Sequence, residues 1–272
     1  MNKKVNNVTV VWLSFPLAAS VTFTSLVGLF TPGFYAAETP DWQAQSAGQD
    51  LVDLLLIIPA LLVSSLLAYR NVKAALYVWA GGVAYLLYTF LIFCFAVHFN
   101  KLFLFYCFTL GASFFSLSWF FYSCIYKKPL LGSLENVPHR FIAIYFIAIA
   151  VIFYLLWLTE IIPATLRNET PVSVKETGLF TNPVHVIDLA VVLPGIFITG
   201  LLLLRKRLLG YILAPVILSF FILMDITIGT LVIIIKQRGL DGSYILALIM
   251  YVLAIISAML LYWYIKRLKI TE

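Results

Sequence analysis

The chain has 272 residues, of which 63% are hydrophobic and 11% charged. A soluble domain carries roughly 25% charged residues, so a chain with this little polar surface is read as an all-α integral membrane protein rather than a water-soluble globule. The formal net charge of +6 is assigned to basic cytoplasmic loops, not to a nucleic-acid-binding surface.

A membrane-spanning helix needs about 20 mostly apolar residues. By that ruler eight transmembrane helices are expected, over 8–31, 51–69, 74–97, 102–126, 141–163, 185–204, 208–235 and 244–265. The first follows Lys3 and Lys4 and precedes Ala36-Ala37, an arrangement that resembles a signal peptide with its cleavage site. Its apolar run is too long for a typical signal, so it is kept as a span. The three cysteines, Cys94, Cys107 and Cys124, lie inside apolar segments with no C-x-x-C spacing. They read as small buried apolar side chains, not as a disulfide framework or redox site.

Lys and Arg set the expected topology. The N-terminus, three alternate loops and the C-terminus hold Lys3, Lys4, Arg70, Lys73, Lys127, Lys128, Arg140, Arg205, Lys206, Arg207, Lys266, Arg267 and Lys269. The remaining loops hold Lys101, Arg167, Lys175, Lys236 and Arg238. Thirteen against five places both termini in the cytoplasm of a multi-pass cell-membrane protein. The long loops 32–50 and 164–184 then face outward, the second carrying the sequon Asn168-Glu169-Thr170, which matters only in a eukaryotic secretory setting.

The chain also repeats itself. LVDLLLIIPALLVSSLLAYR, Leu51–Arg70, aligns with VIDLAVVLPGIFITGLLLLR, Val186–Arg205, so that Asp53, Pro59 and Arg70 meet Asp188, Pro194 and Arg205 at an offset of 135. Upstream, Pro32 and Glu38-Thr39-Pro40 meet Pro163 and Glu169-Thr170-Pro171 at an offset of 131, which implies four extra residues in the second outer loop. The expected architecture is therefore two tandem four-helix repeats of like orientation, 1–128 and 129–272, related by an axis along the membrane normal.

Ionisable side chains inside a membrane are rare, and they face a bundle interior or a cavity. Asp53 and Asp188 are expected near the outer ends of the second and sixth spans. There an N-terminal capping role competes with a shared polar site. Asp50 and His185 occupy equivalent places three residues earlier, on the same helix face as their aspartates. Asn182 is positioned to cap the sixth span, and Pro59 and Pro194 each remove a backbone donor and bend their helices. Glu160 and His98 join the outer layer, with Tyr88 at a similar level of the third span. Asp225 is expected about 15 Å below the outer end of the seventh span, near mid-bilayer, flanked by Ser219 and Thr227.

This set does not spell a known chemistry. There is no H-E-x-x-H, G-x-S-x-G, P-loop, dinucleotide fingerprint or histidine-rich box. Of only three histidines, His139 falls on the cytoplasmic side. No metal, no cofactor and no catalytic residue is assigned, and the acids are left free to bind a cationic group or carry protons.

Four strings resemble a family of bacterial multi-pass membrane proteins over almost the whole chain: TNPVHVIDLAVVLPG (Thr181–Gly195), GYILAPV (Gly210–Val216), AYLLYTF (Ala84–Phe90) and HFNKLFLFY (His98–Tyr106). The family's F-N-P-L-F string has proline after the asparagine where this chain has Lys101, so the short outer turn between spans three and four is not carried over. The resemblance implies a multi-pass fold and brings no activity, cofactor or partner.

Three functions fit these observations. The first is binding or transport of a small solute through an outward-facing polar site between the two halves, with Asp53, His185, Asp188, Asp225, Asp50, Glu160, His98 and Tyr88 as the candidate binding or proton-coupling residues. The second is a membrane-embedded enzyme that uses Asp and His as acid and base on a lipid or isoprenoid-like substrate. The third is a non-catalytic accessory subunit. Each has the lipid bilayer as its partner, and none fixes an oligomeric state. The expected topology has a direct test in a variant lacking the native cysteines. A single cysteine at Glu176 should react with an impermeant maleimide on intact cells, and one at Lys206 only after permeabilisation; the reverse pattern inverts the orientation.

Overall fold

The computed structural model describes residues 8–126 and 137–267, and every regular element in them is helical. Lys3, Lys4, Lys127, Lys128 and Lys269, which entered the charge count, lie outside the described residues. The elements are α1 (Val8–Phe30), α2 (Pro40–Tyr69), α3 (Lys73–Ala96), α4 (Phe103–Tyr126), α5 (His139–Arg167), a short α6 (Val172–Thr177), α7 (Pro183–Leu204), α8 (Leu208–Gln237) and α9 (Tyr244–Arg267). All but α6 are long and apolar enough to cross a membrane, giving eight such helices among the described residues.

The expected outer loop 32–50 needs correcting. From Pro40 onward it is helix, continuous with the second span. The sequence PDWQAQSAGQDLV is too polar to register as a membrane segment, but it starts as helices start. Thr39 is extended and its side chain accepts the Trp42 amide, and Pro40 sits in the first turn, where its missing N–H leaves no bond unmade. This turret is packed on several sides. The Trp42 indole donates to the Ala96 carbonyl at 2.8 Å. Gly48 lets α8 approach so closely that a Cβ there would meet Leu231 Cδ2 at 2.6 Å.

The other long outer segment is also partly helical. α5 runs through Pro163 to Arg167 and stops at Asn168, in the left-handed region with φ 52°. After α6 comes Gly178 with φ 71°. Asn182 then caps α7 as expected, its side chain accepting the Val184 amide at 3.0 Å.

Pro59 and Pro194 produce a local change of helix pitch. A proline inside a helix lacks its N–H and crowds the carbonyl four residues back. Here the turn before each proline widens: Asp53–Ile57 and Asp188–Val192 are π-helical, with the Ile58 amide bonded to the Asp53 carbonyl and the Leu193 amide to the Asp188 carbonyl. Each wide turn begins on an aspartate. Tight α helix resumes over Ile58–Tyr69 and Leu193–Leu204. Each is followed by a sharp reversal through a left-handed residue, Asn71 (φ 67°) or Lys206 (φ 53°).

α3 is packed between α2 and α4 and against α8; α8 in turn packs on α7, α9 and the outer part of α2. α1 closes on α2 and α4, and α5 lies along α7. The α3–α8 contact is made close by Gly81, where a Cβ would fall 2.4 Å from Ser219 Cβ and 2.7 Å from the Val216 carbonyl. Around it two apolar clusters form, one centred on Trp79, Tyr85, Leu86 and Phe120, the other on Phe146, Leu193, Leu218 and Phe221. The periphery carries many exposed apolar side chains, among them Phe95, Leu104, Phe115 and Ile245. Such a surface is compatible with lipid and not with water. Cys107 is one of these exposed residues and Cys94 is only partly covered; of the three cysteines expected to be buried, Cys124 alone is.

Because Gly81 leaves no room for a side chain, Gly81→Val should destabilise the protein by about 1–3 kcal/mol, read as a lower melting temperature in detergent. Gly111→Ala, at a site with nothing within 4 Å of the added Cβ, should cause no loss.

Candidate functional site

Asp53 is not a helix cap. The helix that contains it starts at Pro40, so the carboxylate lies well inside, 1% exposed. Its Oδ1 accepts the Gln49 amide at 2.9 Å and the Tyr85 hydroxyl at 3.3 Å. Gln49 also donates to the Tyr85 oxygen at 2.5 Å, and Tyr85 meets Thr227 Oγ1 of α8 at 3.0 Å. The phenol of Tyr85 therefore joins α2, α3 and α8.

Asp188, the first residue of the second wide turn, also reaches α3. Its Oδ1 accepts the Tyr88 hydroxyl at 3.1 Å and its Oδ2 the Trp157 indole N–H at 3.0 Å. Tyr85 and Tyr88 are three residues apart on α3, hence on one face. The two aspartates are thus brought against adjacent rungs of a single helix, at the seam where α3 meets α8.

His185 is buried beside Asp188, stacked obliquely on Trp157 with ring centroids 4.5 Å apart. Its Nε2 is 3.9 Å from Glu160 Oε2 and 3.5 Å from the Asn182 amide nitrogen. Glu160 Oε1 accepts the Ser173 amide at 2.8 Å, tying the end of α5 to α6. This arm joins Asp188, Tyr88, Trp157, His185 and Glu160 into one layer.

The other candidates are elsewhere. Asp50 turns toward α1, where Tyr35 donates to its Oδ2 at 2.6 Å. Gly28 is needed there, since a Cβ would overlap that oxygen. Burial first, and then the Asp50 charge, push the Tyr35 phenol far above its ordinary value, so it stays protonated and donates. His98 is largely exposed, and it clamps the buried Glu38: its backbone N–H and its ring Nδ1 meet the two Glu38 oxygens, each at 2.8 Å. Asp225 faces away from the seam. Phe221 one turn before it packs against Tyr145 of α5, and Gly229 one turn after it abuts Tyr251 of α9, whereas Thr227 points to α3.

Gln49, Tyr85, Thr227, Trp157, Glu38 and Tyr35 complete these networks without having been singled out among the candidates. Neutral amides, phenols and indoles in an apolar chain carry no signal of their own, and Glu38 lies in a stretch expected to be an exposed loop; only the spacing that sets Gln49 one turn before Asp53 marks the place. Among the described residues both ion-pair contacts use histidine, and no Lys or Arg lies within ion-pair reach of an acid. Nor, among them, is any group of three or more His, Cys, Asp or Glu placed to hold a metal ion.

Tyr85→Phe leaves Asp53, Gln49 and Thr227 short of a shared partner in a buried setting. It should cost about 1–3 kcal/mol, measured as an earlier unfolding midpoint. Tyr154→Phe, which removes only an exposed 3.4 Å contact to the Leu189 carbonyl, should be near neutral. No family model matches the chain, and no curated protein or solved structure is similar to it.

Proposed function

We propose that this is a small-solute binding or transport protein of the cell membrane, built from two tandem four-helix halves, 1–128 and 129–272, with both termini cytoplasmic. The recurrence of backbone detail at one offset supports the duplication. Wide turns at Asp53 and Asp188, resumed helix at Ile58 and Leu193, and left-handed residues at Asn71 and Lys206 are each 135 apart. Helices begin at Pro40, on Glu38-Thr39-Pro40, and at Val172, just after Glu169-Thr170-Pro171. The four extra residues of the second half fall where α6 stops at Gly178 and α7 restarts at Pro183. Gly81 also sits against Val216, its own counterpart, the contact expected of parallel halves about an axis along the membrane normal.

The observation that carries the functional reading is the pairing of Asp53 and Asp188 on Tyr85 and Tyr88 at the seam, with no Lys or Arg partner among the described residues. Intramembrane carboxylates mark substrate or ion pathways, and two of them held by neutral donors suit a positively charged solute. The wide turns supply the pliable points, since such turns recur at functional sites. The broken second half, α6 and α7 in place of one turret, leaves Asp188 less covered than Asp53 and makes it the side from which solute enters.

Native mass spectrometry of the detergent-solubilised protein should find a cationic small molecule bound. Asp188→Asn should weaken that binding at least about tenfold, the loss of one charge-assisted contact of about 1.5–3 kcal/mol, and Asp53→Asn comparably. Unchanged binding and flux in both variants would refute the reading.

A further inference from the structure

We propose that Asp225 is a proton-binding site separate from the Asp53–Asp188 seam, and that α8 couples the two. The coupling rests on the solute-binding reading above; the proton site does not.

Asp225 is 8% exposed, and no hydrogen bond or ion pair from the described residues reaches it. Asp50, Asp53 and the partly covered Asp188 each have at least one donor. On its side of α8 the nearby groups are hydroxyls, while the acids of α2 and α7 are turned to other partners: Asp50 to Tyr35, Asp53 to Gln49 and Tyr85, and Asp188 to Tyr88 and Trp157. α5 brings Tyr145, within electrostatic reach of Asp225, its hydroxyl engaged with Ser257 Oγ of α9 at 2.8 Å. α9 also brings Tyr251, whose hydroxyl meets Thr230 Oγ1 at 3.2 Å. α7 carries no titratable residue from Leu193 to Leu204, and Tyr85 and Tyr88 of α3 lie against the opposite face of α8.

A carboxylate taken out of water without a partner costs several kcal/mol, so this site is complete only with a bound cation. One carboxylate beside hydroxyls already bonded to each other supplies too few oxygens for a metal ion such as Ca²⁺ or Mg²⁺. A proton needs the carboxylate alone. Phe146, Leu218 and Phe221 are buried in the bundle on the Leu208 side of Asp225, so exchange with water runs past Thr230 and Tyr251, toward Gln237.

α8 carries the link. Thr227, two residues on and about 200° around the helix, bonds Tyr85, which in turn bonds Asp53. A change of charge at Asp225 alters how α8 sits against α5 and α9, and the same rigid helix presents Thr227 to the seam.

Infrared difference spectra of the purified protein between about pH 4 and pH 9 test the site. The carboxyl C=O band should contain a titrating component that is lost in Asp225→Asn, displaced in Asp225→Glu, and shifted in midpoint by Tyr145→Phe. A band unchanged by Asp225→Asn and Asp225→Glu overturns the proposal, as does one that does not respond to pH. If Asp225→Asn fails to fold, Asp225→Glu decides. Coupling is read separately, as pH-dependent occupancy of the co-purified solute in native mass spectra that becomes flat in Asp225→Asn; the same pH dependence in the variant overturns the coupling. A protein without bound solute at any pH sinks the transport reading and the coupling with it, while the infrared result still decides the proton site.

Discussion

The approach of α3 to α8 at Gly81 is the contact on which the rest of the molecule depends. A helix pair can come this close only where one partner lacks a side chain, and in lipid such close packing replaces the hydrophobic drive that holds soluble bundles together. With Gly81 against Ser219 and Val216, the tyrosines higher on α3 reach groups on three other helices. Tyr85 meets Thr227 of α8 and Asp53 of α2, and Tyr88 meets Asp188 of α7. Without that seam Asp53 and Asp188 would lose their tyrosine donors and keep only Gln49 and Trp157.

A second constraint is the membrane's intolerance of unpaired polar groups. Prolines at 59 and 194 break the regular ladder, and the chain answers by widening the preceding turn. Because each wide turn starts at an aspartate, the backbone irregularity and the side-chain chemistry share one place. The acids are matched by phenols, amides and indoles, not by Lys or Arg. Asp225 departs from this pattern, because its neighbours' hydroxyls are satisfied elsewhere.

Hydrophobicity alone decided the class, the eight apolar segments and nearly all of their bounds, because a bilayer imposes a length and an apolarity that any sequence must display. The common register of Asp53, Pro59 and Arg70 with Asp188, Pro194 and Arg205 is legible too, since rare residue types stand out against Leu and Val. The turret from Pro40 to Val52 was not legible as helix: it is held by contacts with Ala96 and Leu231, which lie far away in sequence, and with Tyr35 in the stretch just before it.

What the sequence by itself determined is where charge sits along the chain and which helix carries it. Only the tertiary structure decided which way each charge faces. Asp50 and Asp53 share a helix face by spacing, yet one bonds Tyr35 and the other Gln49 and Tyr85. Asp225 and Thr227 are two residues apart, yet they serve opposite sides of α8. A partner's identity depends on which helices become neighbours, and that is fixed by where a glycine permits close approach, as at Gly81, and where a helix stops and restarts, as between Thr177 and Pro183. Neither leaves a mark on periodicity or composition.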